Sequence, residues 1–219
     1  MSLLHQLREK PWATTQGTVV SLRDGSAFYL PAATVGLRVF MVVVTVVFSL
    51  FIMAYGTRMA FEDWRPAPQM SLLWLNTALL VVGSIAMQWA RISARRADRD
   101  NTAIGLWGGG ICAVGFLAGQ LQAWRQLEQL PAFDVVSPAI GFFYLITAVH
   151  GLHLLGGLVA WGRTAVKLWR GTSIPRLRLS VELCAAYWHF LLVVWLVLFG
   201  LLFSGNDNLQ ALLVFCGIR

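Results

Sequence analysis

The sequence is short of everything a soluble surface needs. Only 12% of its 219 residues are charged, and acids number 10 against 17 lysines and arginines. A chain that poor in charge cannot clothe a globular domain in polar residues, so a soluble fold is excluded. Cysteine is scarce: Cys112, Cys184 and Cys216 stand far apart, without a CxxC pair and without a histidine at metal spacing. A disulfide framework and a structural zinc or iron–sulfur site have no basis, and the three thiols read as small buried hydrophobes. Histidine is rarer still than the chemistry of a catalytic metal centre requires, with four in the chain. No Ser/His/Asp or Cys/His nucleophile set is visible. Gly108, Gly109 and Gly110 are not followed by Lys-Ser/Thr, so they form no phosphate loop.

What the chain has in quantity is apolar length. It is 58% hydrophobic, with a mean hydropathy of +0.67. A spanning helix needs about 20 mostly apolar residues, and five segments qualify, roughly 36–58, 70–90, 103–123, 138–162 and 182–204. The expected fold is therefore all-α, an integral membrane bundle of five transmembrane helices over 34–205. Residues 1–33 read as a polar cytoplasmic N-terminal segment without a cleaved signal, and 206–219 as an apolar tail too short to span.

Charge sets the expected topology. Five spans put the N-terminal segment, loop 2–3 and loop 4–5 on one side, and thirteen of the seventeen Lys and Arg lie there, including Arg91, Arg95, Arg96 and Arg99, then Arg163, Lys167, Arg170, Arg176 and Arg178. The positive-inside rule makes that side cytoplasmic, with the N-terminus inside and the C-terminus outside. The net charge of +7 then reflects topology and lipid headgroups, and no nucleic-acid partner is expected. Short loops make sequence neighbours antiparallel packing partners. Gly105-x-x-x-Gly109 and Gly115-x-x-x-Gly119 give span 3 two places for close helix approach. Trp64, Trp124 and Trp161 fall near span ends, where interfacial aromatics sit.

The candidate site is the set of ionisable residues inside spans 4 and 5. His150 and His153 are three apart and share a helix face; Glu182 and His189, seven apart, share another. Ionisable side chains are costly in lipid and face the bundle interior or water. Four readings are open. The four residues could form an intramembrane polar network that pins the helices. His153 and His189, at nearly equal depth, could ligate a haem, as in a small bis-His cytochrome b. Glu182 could admit protons to a histidine relay. Headgroup contact is a fourth, and a five-span transporter lacks the broken helix pair expected of that class.

Several motifs, in order along the chain, carry a resemblance. They are Trp74-Leu75-Asn76-Thr77-Ala78 through Gln88-Trp89-Ala90-Arg91; Phe116-Leu117-Ala118-Gly119-Gln120 with Trp124; His150-Gly151-Leu152-His153 with Gly156-Gly157; and Glu182, Tyr187-Trp188-His189-Phe190 and Trp195. Over roughly 34–205 the chain resembles subunit III of the haem–copper terminal oxidases, in the short five-helix bacterial form. The resemblance implies an accessory, non-catalytic subunit of a proton-pumping respiratory oxidase that reduces oxygen to water, in the bacterial inner membrane. It implies no catalytic residue, metal or cofactor on this chain, with haem and copper in partner subunits. It also implies direct packing on subunit I, association with subunit II and a small subunit IV, and bound phospholipid. Gly105, Gly109, Gly115, Gly119, Gly156, Gly157, Tyr187 and Trp188 are then expected to be packing residues. Three positions depart from the pattern: Val43-Val44-Thr45, Ala123 and Leu192 stand where the family often has carboxylates. Their loss favours structure and lipid holding over proton handling, or a related branch beside a quinol oxidase or a nitric oxide reductase.

Overall fold

The computed structural model describes residues 31–59, 61, 64, 71–129 and 138–203. The expectations for residues 1–30 and for the 206–219 tail lie outside them. Residues 1–35 and 36–219 form separate compact units; of the first, residues 31–35 are described and they open the first helix. Among the described residues five helices follow one another: α1 (Ala32–Arg58), α2 (Leu72–Arg95), α3 (Arg99–Glu128), α4 (Pro138–Trp169) and α5 (Ile174–Phe203). All five are long and apolar enough to cross a membrane. Helix is the only open conformation that satisfies its own backbone in lipid, which is why even the valine-rich run Val42–Val47 of α1 is helical.

The helices run past the apolar segments expected from hydropathy. α4 continues through Arg163 and Lys167, and α5 begins eight residues before Glu182. Hydropathy marks where lipid ends, whereas Arg and Lys are good helix formers that carry the helix into the interface. The stops are made by backbone chemistry instead. At the end of α2, Asp98 N–H reaches Ser93 O at 3.0 Å and Ala97 N–H reaches Ala94 O at 3.2 Å, a Schellman closure with Ala97 left-handed at φ 56°. Asp98 then caps α3, accepting from Asn101 N–H at 3.1 Å and from the Asn101 amide at 2.6 Å. These hydrogen bonds hold its carboxyl below the usual carboxylate range, the Asn101 side chain contributing most. The end of α4 repeats the closure with Gly171 at φ 83°. Pro138 and Pro175 sit in the first turns of α4 and α5, where no amide hydrogen is needed.

α2 and α3 make the most extensive helix pair, followed by α2 with α5 and α4 with α5. The glycines of α3 explain the first. A methyl at Gly105 would lie 2.7 Å from Ala86 O and from Ala90 N, so the two backbones touch there. Gly109 faces Met87 and Gly83 O, and Gly119 receives the Asn76 side chain. Gly115 leaves ordinary contact with Leu79. α1 is the peripheral member: 11% of its most apolar stretch is buried, against 33–44% in the others. It touches the bundle through Val44, Phe48 and Tyr55, which cluster with Ile146, Leu198 and Leu201.

Candidate functional site

The four ionisable residues singled out in spans 4 and 5 occupy separate neighbourhoods. Glu182 Oε1 accepts from Arg95 Nε at 2.8 Å and from Arg178 Nε at 3.2 Å. His189 Nε2 donates to Gln88 Oε1 at 3.1 Å, and its Nδ1 accepts from the Ser84 hydroxyl. Glu182 and His189 thus both look onto α2, as residues two turns apart must. His153 and His150 look the other way. His153 Nδ1 donates to Val149 O at 2.8 Å, and its ring lies 5.6 Å from that of Phe48 and 6.0 Å from that of Phe40, both on α1. His150 is fully buried between Phe48, Phe116 and Trp195, and neither ring nitrogen has a hydrogen-bond partner among the described residues.

This arrangement bears on the chemistry. His153 faces α1 and His189 faces α2, so the two rings do not converge on one haem plane. Glu182 is tied to two guanidiniums, while His189 is bonded to Gln88 and Ser84. Among the described residues, no three of His, Cys, Asp and Glu gather to hold a metal ion.

The polar partners that complete these neighbourhoods came from elsewhere in the chain. Ser84, Gln88 and Arg95 are on α2, and a sequence reading focused on spans 4 and 5 passes over them; a Gln and a Ser four apart inside an apolar span was the available signal. Asn76 and Gln120, both buried, pair across α2 and α3 at 3.4 Å. Trp195 Nε1 donates to Thr77 Oγ1 at 3.0 Å, and Tyr187 OH donates to His153 O at 3.1 Å. Trp161 and Trp124, expected at the lipid interface, bond across helices instead. Trp161 Nε1 reaches Leu106 O at 2.7 Å and Trp124 Nε1 reaches Thr147 Oγ1 at 3.1 Å. Trp64 is buried against Tyr55 and Phe142. Among the described residues the indoles that do face outward are Trp74, Trp89, Trp107 and Trp169, the last 85% exposed at the end of α4.

Two grooves open beside these residues. One, of about 610 Å³, lies between α1, α4 and α5, with Phe40, His153 and Tyr187 in its wall and Arg163 and Lys167 at one end. Gly157 sits against Tyr187 and Trp188, where a methyl would fall 2.8 Å from the tyrosine ring, while Gly156 beside it has open space. The other, of about 590 Å³, lies between α2, the start of α3 and α5, and holds His189.

The sequence profile described as Cytochrome c oxidase subunit III matches residues 35–205, the whole helical bundle. The chain belongs to that family. It is 31% identical over 179 residues to Cytochrome c oxidase subunit 3 of Synechocystis sp., covering 77% of this chain and 73% of that protein. It is 28% identical over 195 residues to Probable cytochrome c oxidase subunit 3 of Mycobacterium tuberculosis, covering 86% of this chain and 96% of the relative. With the corresponding protein of Thermostichus vulcanus it shares 26% over 198 residues, 86% and 94% of the two chains. Membership makes it a multi-pass membrane protein of an oxidase complex with other subunits. The motifs at Trp74–Arg91, Phe116–Trp124, His150–Gly157 and Glu182–Trp195 are, in this light, helix-to-helix contacts: Asn76, Gln120, Gly157, Tyr187 and Trp195 each bond or pack across a helix boundary.

Proposed function

We propose that this chain is a non-catalytic accessory subunit of a respiratory haem–copper oxidase, packed on subunit I and holding phospholipid in the groove between α1, α4 and α5. The observation that carries the lipid half is the form of that groove. It is apolar along most of its length and has Arg163 and Lys167 together at one end, the chemistry of a phosphate on two cations with an acyl chain below. Gly156 and Gly157 keep its floor low. Haem and copper belong to partner subunits, with subunit I in direct contact and subunit II and a small subunit IV in the same assembly. The basic loops face the cytoplasm of a bacterial cell, and the complex sits in the inner membrane.

The test is to tag the chain, extract it in mild detergent and record the optical spectrum and the mass-spectrometric content of what is retained. Haem and copper with a much larger multi-span subunit are expected. Native mass spectrometry should find retained phospholipid that is lost in Arg163→Gln/Lys167→Gln. A lone chain without haem would overturn the reading, and unchanged lipid in the double variant would overturn the assignment of the groove.

A further inference from the structure

The turn between α4 and α5 carries a patch that neither the packing of the bundle nor the groove assigned to lipid uses. From 135 to 181 the chain has no carboxylate, and five Lys and Arg fall within that stretch. Arg163 and Lys167 line the lipid groove, and Arg178 is held by Glu182. Arg170 and Arg176 are left, exposed on the two sides of the turn and without a carboxylate partner among the described residues. Beside them stands Trp169, the last residue of α4, with almost all of its surface open. Two other outward indoles lean on a second ring, Trp74 on Phe199 at 4.9 Å and Trp107 on Trp161 at 5.4 Å. Trp169 has no ring neighbour among the described residues, so the fold of the bundle does not account for it.

Lipid does not account for it either. α4 has 32 residues, a length of about 48 Å, against about 40–45 Å for a bilayer with both headgroup layers. Its apolar segment ends at Gly162, and Trp169 lies about 10 Å farther along the helix, past a headgroup layer about 5–7 Å deep. Interfacial indoles sit at headgroup level; this one stands beyond it, with Val166 exposed one turn before it on the same face. The patch is also held still. Arg99 Nη2 donates to Leu168 O, which fixes the end of α4 on α3 and sets a third guanidinium beside Trp169. Gly171 N–H and Thr172 N–H close the helix on Leu168 O and Lys167 O. The acids of the adjoining α2–α3 turn are Asp98, which caps α3, and Asp100.

We propose that Trp169, with Arg99, Arg170 and Arg176, is the docking point for an acidic segment of another subunit of the oxidase complex. A fixed indole among guanidiniums has the composition of an interface centre, because Trp and Arg carry much of the energy of binding. A preformed surface also loses little freedom on docking. The charge selects the partner, since guanidiniums that lack carboxylates on their own chain are matched by carboxylates from the other side. Aliphatic side chains of that segment cover the indole and Val166, and its Asp and Glu meet the three guanidiniums. The proposal rests on the chain's place in an oxidase complex, and the haem spectrum of the purified sample checks that place separately.

Photo-crosslinking in the purified complex, returned to lipid vesicles, tests this. In a chain with Cys112, Cys184 and Cys216 replaced by alanine, Trp169→Cys carries a benzophenone maleimide, and the adduct is read by mass spectrometry. The expected adduct is with a segment of another subunit in which Asp and Glu outnumber Lys and Arg. Its yield should fall about tenfold in Arg170→Glu/Arg176→Glu. Adducts with lipid alone would assign the indole to the membrane surface and overturn the proposal. So would no adduct, an adduct with a second copy of this chain, a segment without an acidic excess, or a yield indifferent to the charge reversal. If Trp169→Cys does not assemble, Val166→Cys reports from the same face. A second readout is retention. Trp169→Ser is expected to raise loss of the chain from the complex during detergent exchange about tenfold, and Trp169→Phe to restore most of it. Retention unchanged in Trp169→Ser would overturn the docking point.

Discussion

Arg95, in the last turn of α2, donates its Nε–H to Glu182 Oε1 on α5 at 2.8 Å, and Arg178 reaches the same oxygen from one turn before it. The carboxylate is thereby a clasp between two helices far apart in sequence, at the end of the bundle where the short turns lie. Partly exposed ion pairs are worth about 0.2–1 kcal/mol, so Glu182→Ala should cost about 1 kcal/mol, with Arg95→Ala below it and Arg178→Ala smallest. Thermal unfolding of the purified complex in detergent measures the order. No measurable loss for Arg95→Ala would show that the clasp across helices adds nothing to the pair within α5.

Gly105 and Gly156 separate packing from mere smallness. A methyl at Gly105 would meet the Ala86 carbonyl and the Ala90 amide at 2.7 Å, backbone that cannot swing aside, whereas Gly156 has nothing within 4 Å. Gly105→Ala is expected to destabilise by about 1–3 kcal/mol. Gly156→Ala should leave the unfolding midpoint unchanged, and its effect should appear in retained lipid instead.

The two Schellman closures predict opposite signs for one exchange. Ala97 is left-handed at φ 56°, which costs an L-residue about 1–2 kcal/mol. Ala97→Gly should therefore raise stability by up to about 1 kcal/mol, and Gly171→Ala, at φ 83°, should lower it by about the same. A midpoint shift of the same sign in both variants would contradict the closures.

His150 tests whether a buried histidine acts through its nitrogens. Neither has a partner among the aromatic rings around it, and a buried polar group left unpaired costs about 1–3 kcal/mol. His150→Leu should therefore hold or gain stability, and oxygen turnover of the complex should stay as it is. His150→Ala leaves a hole beside Phe116 and Trp195 and should lose about 2 kcal/mol or more. Loss of turnover in His150→Leu with the subunit still bound would mean that the ring does chemistry.

The α2–α3 turn carries an acid dependence. Asn101 lowers the Asp98 carboxyl from its ordinary value of 3.8. A carboxyl lowered by folding contributes stability that is complete above that ordinary value and is lost as pH falls through the lower, folded one. Asp98→Asn should flatten this acid limb in a stability-against-pH series while leaving neutral pH little changed, since Asn also caps helices.

Much of the architecture was legible in the chain. The five apolar runs required five helices, since each is long enough to span as a helix and helix alone satisfies its own backbone in lipid, and the glycine spacing in α3 marked a face for close approach. Glu182 with His189, and His150 with His153, shared faces by period alone. What the sequence left open was which neighbour each face meets. Depth follows from rise per residue and can be counted, so His153 and His189 read as a level pair. Rotation of each helix about its own axis cannot be counted, because it is set by contacts with residues from distant segments. Tyr187 and Trp188 against Gly157, and Trp195 against Thr77, turn α5 so that His189 meets Ser84 and Gln88. Phe48 draws His150 and His153 toward α1. The sequence by itself determined an all-helical membrane chain and which ionisable groups share a helix face. Only the tertiary packing decided that these groups divide among a clasp, an aromatic core and a pair of hydrogen bonds to α2.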